Sequence, residues 1–291
     1  MAASRQHVVV SDVQRAQYGE EGYLVLPAVI GEEELSELRR EASEILDLVV
    51  RSSLSLQRRN PRLDIRRSGA GRAIVRKIQP VNDLSAVISN LSVDERLIGP
   101  MTEIMGDDPV LMEEKLNYKQ PLDLEDKDID LLENADREGT DEGFLLHHDW
   151  GYYRANGYPQ TTMSSAIALD DCEARGPIRV VPGSHLVDAA LADPGSGSGI
   201  VAQHVVGTVP GLVPLNLTAG SVVLFHSKLL HDSEPNLSNK PRRVLIYSHY
   251  PKSHDPGGDA DRRNRPTRER AALMEKEYRE KVTAGRGPDL A

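Results

Sequence analysis

The sequence LLHHDW at positions 145–150 determines how the rest of this chain is interpreted. Successive side chains of a β-strand point to opposite faces, so a strand here would project His147 and Asp149 to one side and His148 to the other. A distant histidine, His231, ends an apolar segment that is typical of a second strand. Two imidazoles and a carboxylate that converge on one face can bind a metal ion and leave other coordination positions open. The pattern therefore predicts His147, Asp149 and His231 as metal ligands.

The short His-x-Asp pattern is not specific, because it occurs by chance in many chains. His148 is the main rival ligand, but only His147 would share a strand face with Asp149. The chain has nine histidines, and most of them are expected to be structural. Three that lie in or beside predicted strands are expected to be hydrogen-bonded core or rim residues: His185, His226 and His249.

Three further motifs accompany the candidate ligands: IALDD at 167–171, GPIRVVPGSH at 176–185, and HDSEPNLSNKPRR at 231–243. With the His-x-Asp pattern they resemble the phytanoyl-CoA dioxygenase family of Fe(II)/2-oxoglutarate oxygenases. That family has an ALDD strand, a GPL-x-x-x-PGSH motif, and a distal H-x-S-x-x-N-x-S followed by an arginine about eleven residues after the histidine. The segment GYLVLP at 22–27 also looks like the family's first strand, so the resemblance spans most of Tyr18 to Tyr250.

The resemblance implies three cofactors or cosubstrates: Fe(II), 2-oxoglutarate and O2. It places Arg242 as the residue that holds the remote carboxylate of 2-oxoglutarate, since a guanidinium offers two parallel charge-assisted hydrogen bonds that lysine cannot reproduce. Arg243 would point to the opposite strand face and is expected at the surface or an interface. Asn117 and Lys119, on the strand before the first ligands, are implied to reach the same cosubstrate, with an ordinary polar strand edge as the alternative. Ser233 is implied to add a hydroxyl to this pocket, or else to stabilise a turn.

The implied activity is hydroxylation of an unactivated carbon in a small organic molecule, with release of succinate and CO2. Biosynthetic tailoring of a natural product is one expected role. Related halogenases replace the acidic ligand by a small residue, so Asp149 argues against halogenation. Desaturation, epimerisation and ring closure remain alternative outcomes. Two other classes stay open: a cupin-type metalloenzyme that needs no 2-oxoglutarate, and a non-catalytic binding protein on the same fold.

The chain length favours one enzyme domain over residues 1–291. Short apolar strands separated by Gly, Pro and Asp turns predict a fold that is mainly β with flanking helices and a jelly-roll, cupin-like core. The only cysteine, Cys172, excludes an intramolecular disulfide. There is no apolar segment long enough to span a membrane and no signal-peptide pattern, so we expect a cytoplasmic monomer or homodimer without a membrane or nucleic-acid partner.

The net charge of −10 is unevenly distributed. Residues 122–143 are strongly acidic and predict a mobile insertion, either a lid or disordered. Residues 51–77 carry nine basic side chains against Asp64 alone. These segments are either solvated surfaces or, in the case of the basic one, a region that receives an anionic substrate. Three aromatic residues just after the ligands are expected to line the substrate pocket or to pack at the end of a strand: Trp150, Tyr152 and Tyr153.

Hydrophobic periodicity and cap residues give the expected elements. Helices are predicted from Asp12 to about Tyr18 after the N-cap Ser11, over 32–50, across most of 84–105, and over 268–282. A long loop is predicted over 51–71. Strands are predicted over 22–27, 73–78, 110–118, 163–169, 178–181, 200–206, 221–225 and 244–249.

Overall fold

The structure is a computed structural model that describes residues 8–133, 143–187, 211–254, 256–258 and 260–285. Its α-helices are α1 (Asp12–Glu21), α2 (Glu32–Leu56), α3 (Ala86–Leu91), α4 (Glu95–Met105), α5 (Asp126–Leu132), α6 (Trp150–Tyr153) and α7 (Arg265–Thr283). Its strands are β1 (Tyr23–Leu26), β2 (Leu63–Arg67), β3 (Ala73–Ile78), β4 (Pro109–Leu122), β5 (Phe144–His147), β6 (Met163–Ala168), β7 (Ile178–Val180), β8 (Val213–Leu215), β9 (Val222–His226), β10 (His231–Ser233) and β11 (Val244–Pro251). The strand predicted at 200–206 lies outside the described residues.

Two antiparallel sheets form the body of the protein. The larger sheet has the strand order β1-β9-β6-β11-β4-β3-β2, and the smaller has the order β5-β10-β7-β8. Strands that are neighbours in space are mostly distant in sequence, as a jelly roll requires. The mainly β, jelly-roll prediction with flanking helices is therefore confirmed.

The alternation of side chains along the central strand β11 separates two apolar layers. Leu245 and Tyr247 belong to the core that includes the buried faces of the helices. Val244 and Ile246 point to the opposite side and pack with β7 of the smaller sheet, including Ile178. Strand β11 is fully buried along its length because both of its faces are covered.

The two N-terminal helices follow their sequence signals. Ser11 caps α1 with a reciprocal capping box to Gln14, and the helix ends at Gly22 in the left-handed conformation. Six apolar residues at helical spacing, which give the predicted helix over 32–50 its hydrophobic face, are all buried in α2: Leu35, Leu38, Ala42, Ile45, Leu46 and Val49. Helix α2 continues to Leu56, beyond its predicted end.

The prediction of a long loop over 51–71 is wrong. The end of α2 and the whole of strand β2 lie within it. Arginines interrupt the apolar pattern there, but Arg62 is fully buried and bonded to Glu275 at 2.8 Å and to Asp83 at 2.6 Å. Buried ion pairs thus replace part of the apolar surface that periodicity would have detected.

The acidic insertion is not wholly disordered. Its residues 126–132 form α5, which buries Ile129 and Leu132. The Arg67 side chain on β2 pairs with Asp126 at 2.8 Å and Asp130 at 2.6 Å. The acidic and basic segments therefore neutralise each other in part. Residues 134–142 of the insertion lie outside the described part of the chain.

The C-terminal helix α7 is present, but it does not bury the whole face that the sequence predicts, which comprises Leu273, Met274, Tyr278 and Val282. Ala271, Met274 and Glu275 are buried, whereas Leu273 is 71% exposed and Val282 is 48% exposed. The helix packs against α2, and Arg268 near its start pairs with Glu114 on the larger sheet. Glu275 turns inward because it pairs with the buried Arg62. None of the described helices is long and apolar enough to cross a membrane.

Candidate active site

Two neighbouring strands of the smaller sheet bring the candidate histidine ligands together. In the antiparallel pair β5–β10, His147 lies directly opposite His231. Their ring centroids are 4.3 Å apart. Asp149 does not continue the strand as expected, because β5 ends at His147 and Asp149 adopts a helical conformation as the residue that begins α6. The chain turn, rather than strand alternation, points its carboxylate toward the two imidazoles.

The three side chains can hold one metal ion. One donor atom from each lies within 4.8 Å of the others. Asp149 Oδ1 is 3.6 Å from His147 Nε2 and 4.0 Å from His231 Nε2. Both Nδ1 atoms contact backbone carbonyls, that of His147 on Leu145 at 2.7 Å and that of His231 on Leu229 at 3.0 Å.

These carbonyl contacts fix the tautomer of both neutral rings. A carbonyl oxygen only accepts, so each Nδ1 carries a proton, and in the neutral ring each Nε2 then presents its lone pair to the site. Burial, reinforced by the charge of His147, lowers the pKa of His231 to about 4. Burial opposes ionisation of Asp149, but Lys115 and the two histidines outweigh it and lower the pKa of that carboxyl. At neutral pH His231 and Asp149 are therefore in their metal-binding forms.

The other described histidines have structural partners. His148 is buried, accepts from the Gly151 amide at 3.0 Å and stacks on Trp150. His249 is buried against the carbonyl of Ser92. These positions agree with the prediction that most histidines are structural.

A cavity of about 640 Å³ opens beside the three candidate ligands. It lies between the two sheets and receives side chains from β2, β3, β4, β5, β10, β11 and α6. Most of the lining residues are polar or charged, with apolar contributions from a few side chains: Phe144, Leu145, Ile178, Phe225 and Ile246.

One end of the cavity contains a buried cation with spare donors. Arg242 is 1% exposed, and its Nε and Nη2 have no hydrogen-bond partner among the described residues. A buried guanidinium in this state is costly unless a ligand completes its hydrogen bonds. Asn117 lies across from Val244 on the adjacent strand, lines the cavity, and has an Oδ1 without a partner in the described part of the chain. Ser233 also lines this cavity. This end fits the far carboxylate of 2-oxoglutarate.

Lys119 does not belong to the lining of this cavity, in contrast to the sequence-based expectation. Its Nζ donates to the carbonyl of Glu234 and lies 3.5 Å from that of Gly176. Burial, together with the charges of Arg242 and Arg76, lowers its pKa strongly. Lys119 therefore joins the two loops that contain Gly176 and Glu234.

Two of the three aromatic residues that follow the first ligands line the cavity. Tyr152 and Tyr153 line the cavity, and Tyr152 packs edge-on at 6.0 Å from the ring of His147. Trp150 is not a lining residue: it stacks on His148 and lies under Arg154.

Arg243 does not lie at a free surface as expected. It makes a two-pronged ion pair with Asp170, with both nitrogen–oxygen distances at 2.9 Å. Its Nη1 also donates to the carbonyl of Arg39 at 3.1 Å. Arg243 therefore joins the end of β6 to helix α2, on the side of the sheet away from the cavity.

Sequence reasoning gave no role to four charged residues of the cavity: Glu113, Lys115, Asp232 and Arg263. The first two could have been found, because they lie four and two residues before Asn117 and so share its face of β4. Arg263 has no comparable signal, since it lies in an irregular segment after the last strand.

The phytanoyl-CoA dioxygenase (PhyH) family model matches residues 18–244. The chain belongs to this family. The match covers β1 to the start of β11, and therefore every candidate ligand and Arg242.

Curated relatives of this PhyH-family protein are oxygenases. An ectoine dioxygenase from Nocardia farcinica is 27% identical over 254 residues, which cover 81% of this chain and 76% of the relative. An L-proline trans-4-hydroxylase from Streptomyces griseoviridis is 24% identical over 254 residues, which cover 81% of this chain and 84% of the relative.

Solved structures share the fold. The epimerase SnoN in complex with Fe3+, alpha ketoglutarate and nogalamycin RO has a TM-score of 0.61 at 21% identity, covering 85% of this chain and 87% of that one. EctD from S. alaskensis with 2-oxoglutarate and 5-hydroxyectoine has a TM-score of 0.61 at 20% identity, and the match covers 87% of this chain and 80% of that one. This PhyH-family protein is an Fe(II)- and 2-oxoglutarate-dependent dioxygenase with a small-molecule substrate.

Proposed function

We propose that His147, Asp149 and His231 hold the iron and that Arg242 anchors 2-oxoglutarate, so that the enzyme hydroxylates an unactivated carbon of a small organic molecule. One observation carries the assignment. Three convergent donors and a buried arginine, whose Nε and Nη2 lack partners among the described residues, face the same cavity. Asn117 lines the cavity with Arg242 and adds a polar group for the cosubstrate, as does the hydroxyl-bearing Ser233.

The bound iron, with 2-oxoglutarate and O2, supplies the oxidation that converts a C–H bond into C–OH and releases succinate and CO2. The protein contributes binding and orientation. The carbonyls of Leu145 and Leu229 fix the two imidazole rings. Phe225 and Ile246 give the cavity apolar walls that limit the access of water.

The substrate in this proposal carries an anionic group. Six cationic side chains line the cavity against three carboxylates, and the excess favours an anion. The names of two relatives give L-proline and 2-aminoethylphosphonate, both small molecules with an acidic group. Residues from Arg66 to Arg242 in the matched region and Arg263 from the C-terminal segment line one cavity, which supports a single oxygenase domain over residues 1–291.

Anaerobic titration of the Fe(II)-loaded protein with 2-oxoglutarate tests the assignment. The wild type should develop the weak visible charge-transfer band of chelated 2-oxoglutarate. Arg242→Ala should weaken the band at a given 2-oxoglutarate concentration, and His231→Ala should abolish it. His254→Ala, at an exposed histidine remote from the cavity lining, is the matched control and should leave it unchanged. Absence of the band in wild type with iron bound would overturn the proposal.

A further inference from the structure

Strand β4 places three polar residues in a row along one wall of the cavity: Glu113, Lys115 and Asn117. Asn117 lies opposite Val244, which follows Arg242 by two residues, and lines the same cavity as Arg242. Lys115 comes next, and its charge lowers the pKa of Asp149 although burial opposes that shift. Glu113 is 2% exposed and accepts from Lys115 Nζ at 2.8 Å. The row therefore runs from the cosubstrate end, past the metal ligands, to a second charged region.

Arg263 reaches this second region from the C-terminal segment, beyond the matched residues 18–244. Its Nε donates to Glu113 Oε2 at 2.6 Å, and its Nη1 donates to the carbonyl of Tyr152 at 3.0 Å. Its guanidinium also lies 5.4 Å from the centre of the Tyr153 ring. Arg263 thus connects β4 with the helix that follows the metal ligands.

The backbone around Arg263 is held in place from both sides. The neighbouring Asn264 donates to Glu114 Oε2 at 3.0 Å. Arg268 pairs with Glu114 at 2.6 Å and also with Asp261. These contacts fix the start of α7 on β4, so the position of Arg263 in the cavity wall is set by the fold.

The cluster has a positive balance that faces the cavity. Glu113 is the one carboxylate shared by Lys115 and Arg263, and both of its oxygens are engaged by these cations. Burial raises the pKa of Glu113, but the two cations outweigh burial and lower it to about 2, so the carboxylate is ionised. Two cations and one anion leave one net positive charge. In the proposed function Asp149 would be a ligand of the iron, so its carboxylate would not offset this charge.

We propose that Lys115 and Arg263, bridged by Glu113, form an oxyanion subsite for the primary substrate, separate from the Arg242 site that receives 2-oxoglutarate. The group bound is a carboxylate or a tetrahedral oxyanion. A guanidinium already oriented by Glu113 and the Tyr152 carbonyl loses little freedom on binding an anion, and the ammonium keeps further N–H donors. This inference rests on the proposed function, which supplies the Arg242 site and the metal.

The test measures the thermal stabilisation of the anaerobic protein, saturated with Fe(II) and 2-oxoglutarate, by sulfate or acetate against chloride at equal ionic strength. Wild type should show a saturable rise in Tm. Arg263→Gln should weaken the apparent affinity at least about 10-fold. Arg262→Gln is the matched control: it removes the same charge from the neighbouring position, where Arg262 donates to the Pro256 carbonyl and does not line the cavity.

The readout is the anion-dependent increment in Tm, so a lower starting Tm in a variant does not affect it. Arg263→Lys keeps the charge and should give an intermediate response. A stronger response to acetate would assign the site to a carboxylate, and a stronger response to sulfate would assign it to a tetrahedral oxyanion. Equal increments in wild type, Arg263→Gln and Arg262→Gln would show only the general effect of salts and would overturn the subsite.

The same samples separate the two proposals. If the charge-transfer band forms in wild type and in Arg263→Gln while all increments are equal, the subsite is wrong and the oxygenase assignment stands. If wild type with bound iron forms no band, the oxygenase assignment itself fails.

Discussion

The buried cations at the two ends of the cavity differ in whether the protein itself supplies their hydrogen-bond partners. At the cosubstrate end, Arg242 is almost fully buried and keeps two nitrogens without partners in the described structure. At the other end, Lys115 and Arg263 are already paired through Glu113. In the proposed function, 2-oxoglutarate completes the hydrogen bonds of the first arrangement. The charges of the second arrangement are already paired without a ligand.

The largest effect is expected at the end that depends on its ligand. Arg242→Lys should raise the concentration of 2-oxoglutarate needed for half-maximal charge-transfer absorbance about 100-fold, or about 3 kcal/mol, because a lysine cannot make two parallel bonds to a carboxylate. Arg243→Lys is the adjacent control, since Arg243 pairs with Asp170 outside the cavity. Similar affinities for 2-oxoglutarate in Arg242→Lys and Arg243→Lys would show that Arg242 does not anchor the cosubstrate, and the contrast between the two ends of the cavity would be lost.

The cosubstrate end is also the more predictable from sequence. The spacing between His231 and Arg242, together with the family resemblance, indicates both residues from the amino-acid sequence alone. The structure places both in the lining of the cavity. The pattern does not give the local geometry, because strand alternation predicts a shared strand face for His147 and Asp149, whereas the chain leaves the strand between them.

The self-supporting end should affect folding more than cosubstrate binding. Glu113→Gln should lower the free energy of unfolding by about 2 kcal/mol near neutral pH, because two cations lose their shared carboxylate. Glu44→Gln, at an exposed carboxylate 3.0 Å from Arg40, is the matched control and should cost less than about 0.5 kcal/mol. Urea unfolding measures both changes.

The effect of Glu113 should also depend on pH with a defined sign. The folded pKa of about 2 is below the ordinary value of 4.5, so the folded state binds fewer protons in this range. The stabilisation by Glu113 is therefore fully present above pH 4.5 and is lost as the pH falls toward 2. A difference between wild type and Glu113→Gln that stayed constant from about pH 5 to about pH 3, in a range where both still fold, would contradict the ion-pair explanation.

The second end is less predictable because its parts are distant in sequence and lack periodicity. Arg263 follows the last strand by more than ten residues, and no local pattern marks it as a cavity residue. The loop predicted over 51–71 is wrong for a related reason, since the buried arginine Arg62 and its ion pairs interrupt the apolar pattern that leads into β2. Charged residues that are buried in pairs have the same sequence signature as surface residues.

The smallest expected change in 2-oxoglutarate affinity distinguishes Asn117 from Lys119, which the family resemblance assigns to the same cosubstrate site. Asn117 lines the cavity, so Asn117→Ala should weaken 2-oxoglutarate binding about 5-fold, or about 1 kcal/mol, by removing one polar contact. Lys119 instead holds the carbonyl of Glu234, so Lys119→Met should lower the unfolding free energy while changing 2-oxoglutarate affinity less than about 2-fold. The charge-transfer titration gives the affinities, and urea unfolding gives the stabilities. If Lys119→Met lost more affinity for 2-oxoglutarate than Asn117→Ala, Lys119 would belong to the cosubstrate site. That site would then extend beyond the residues that line the cavity.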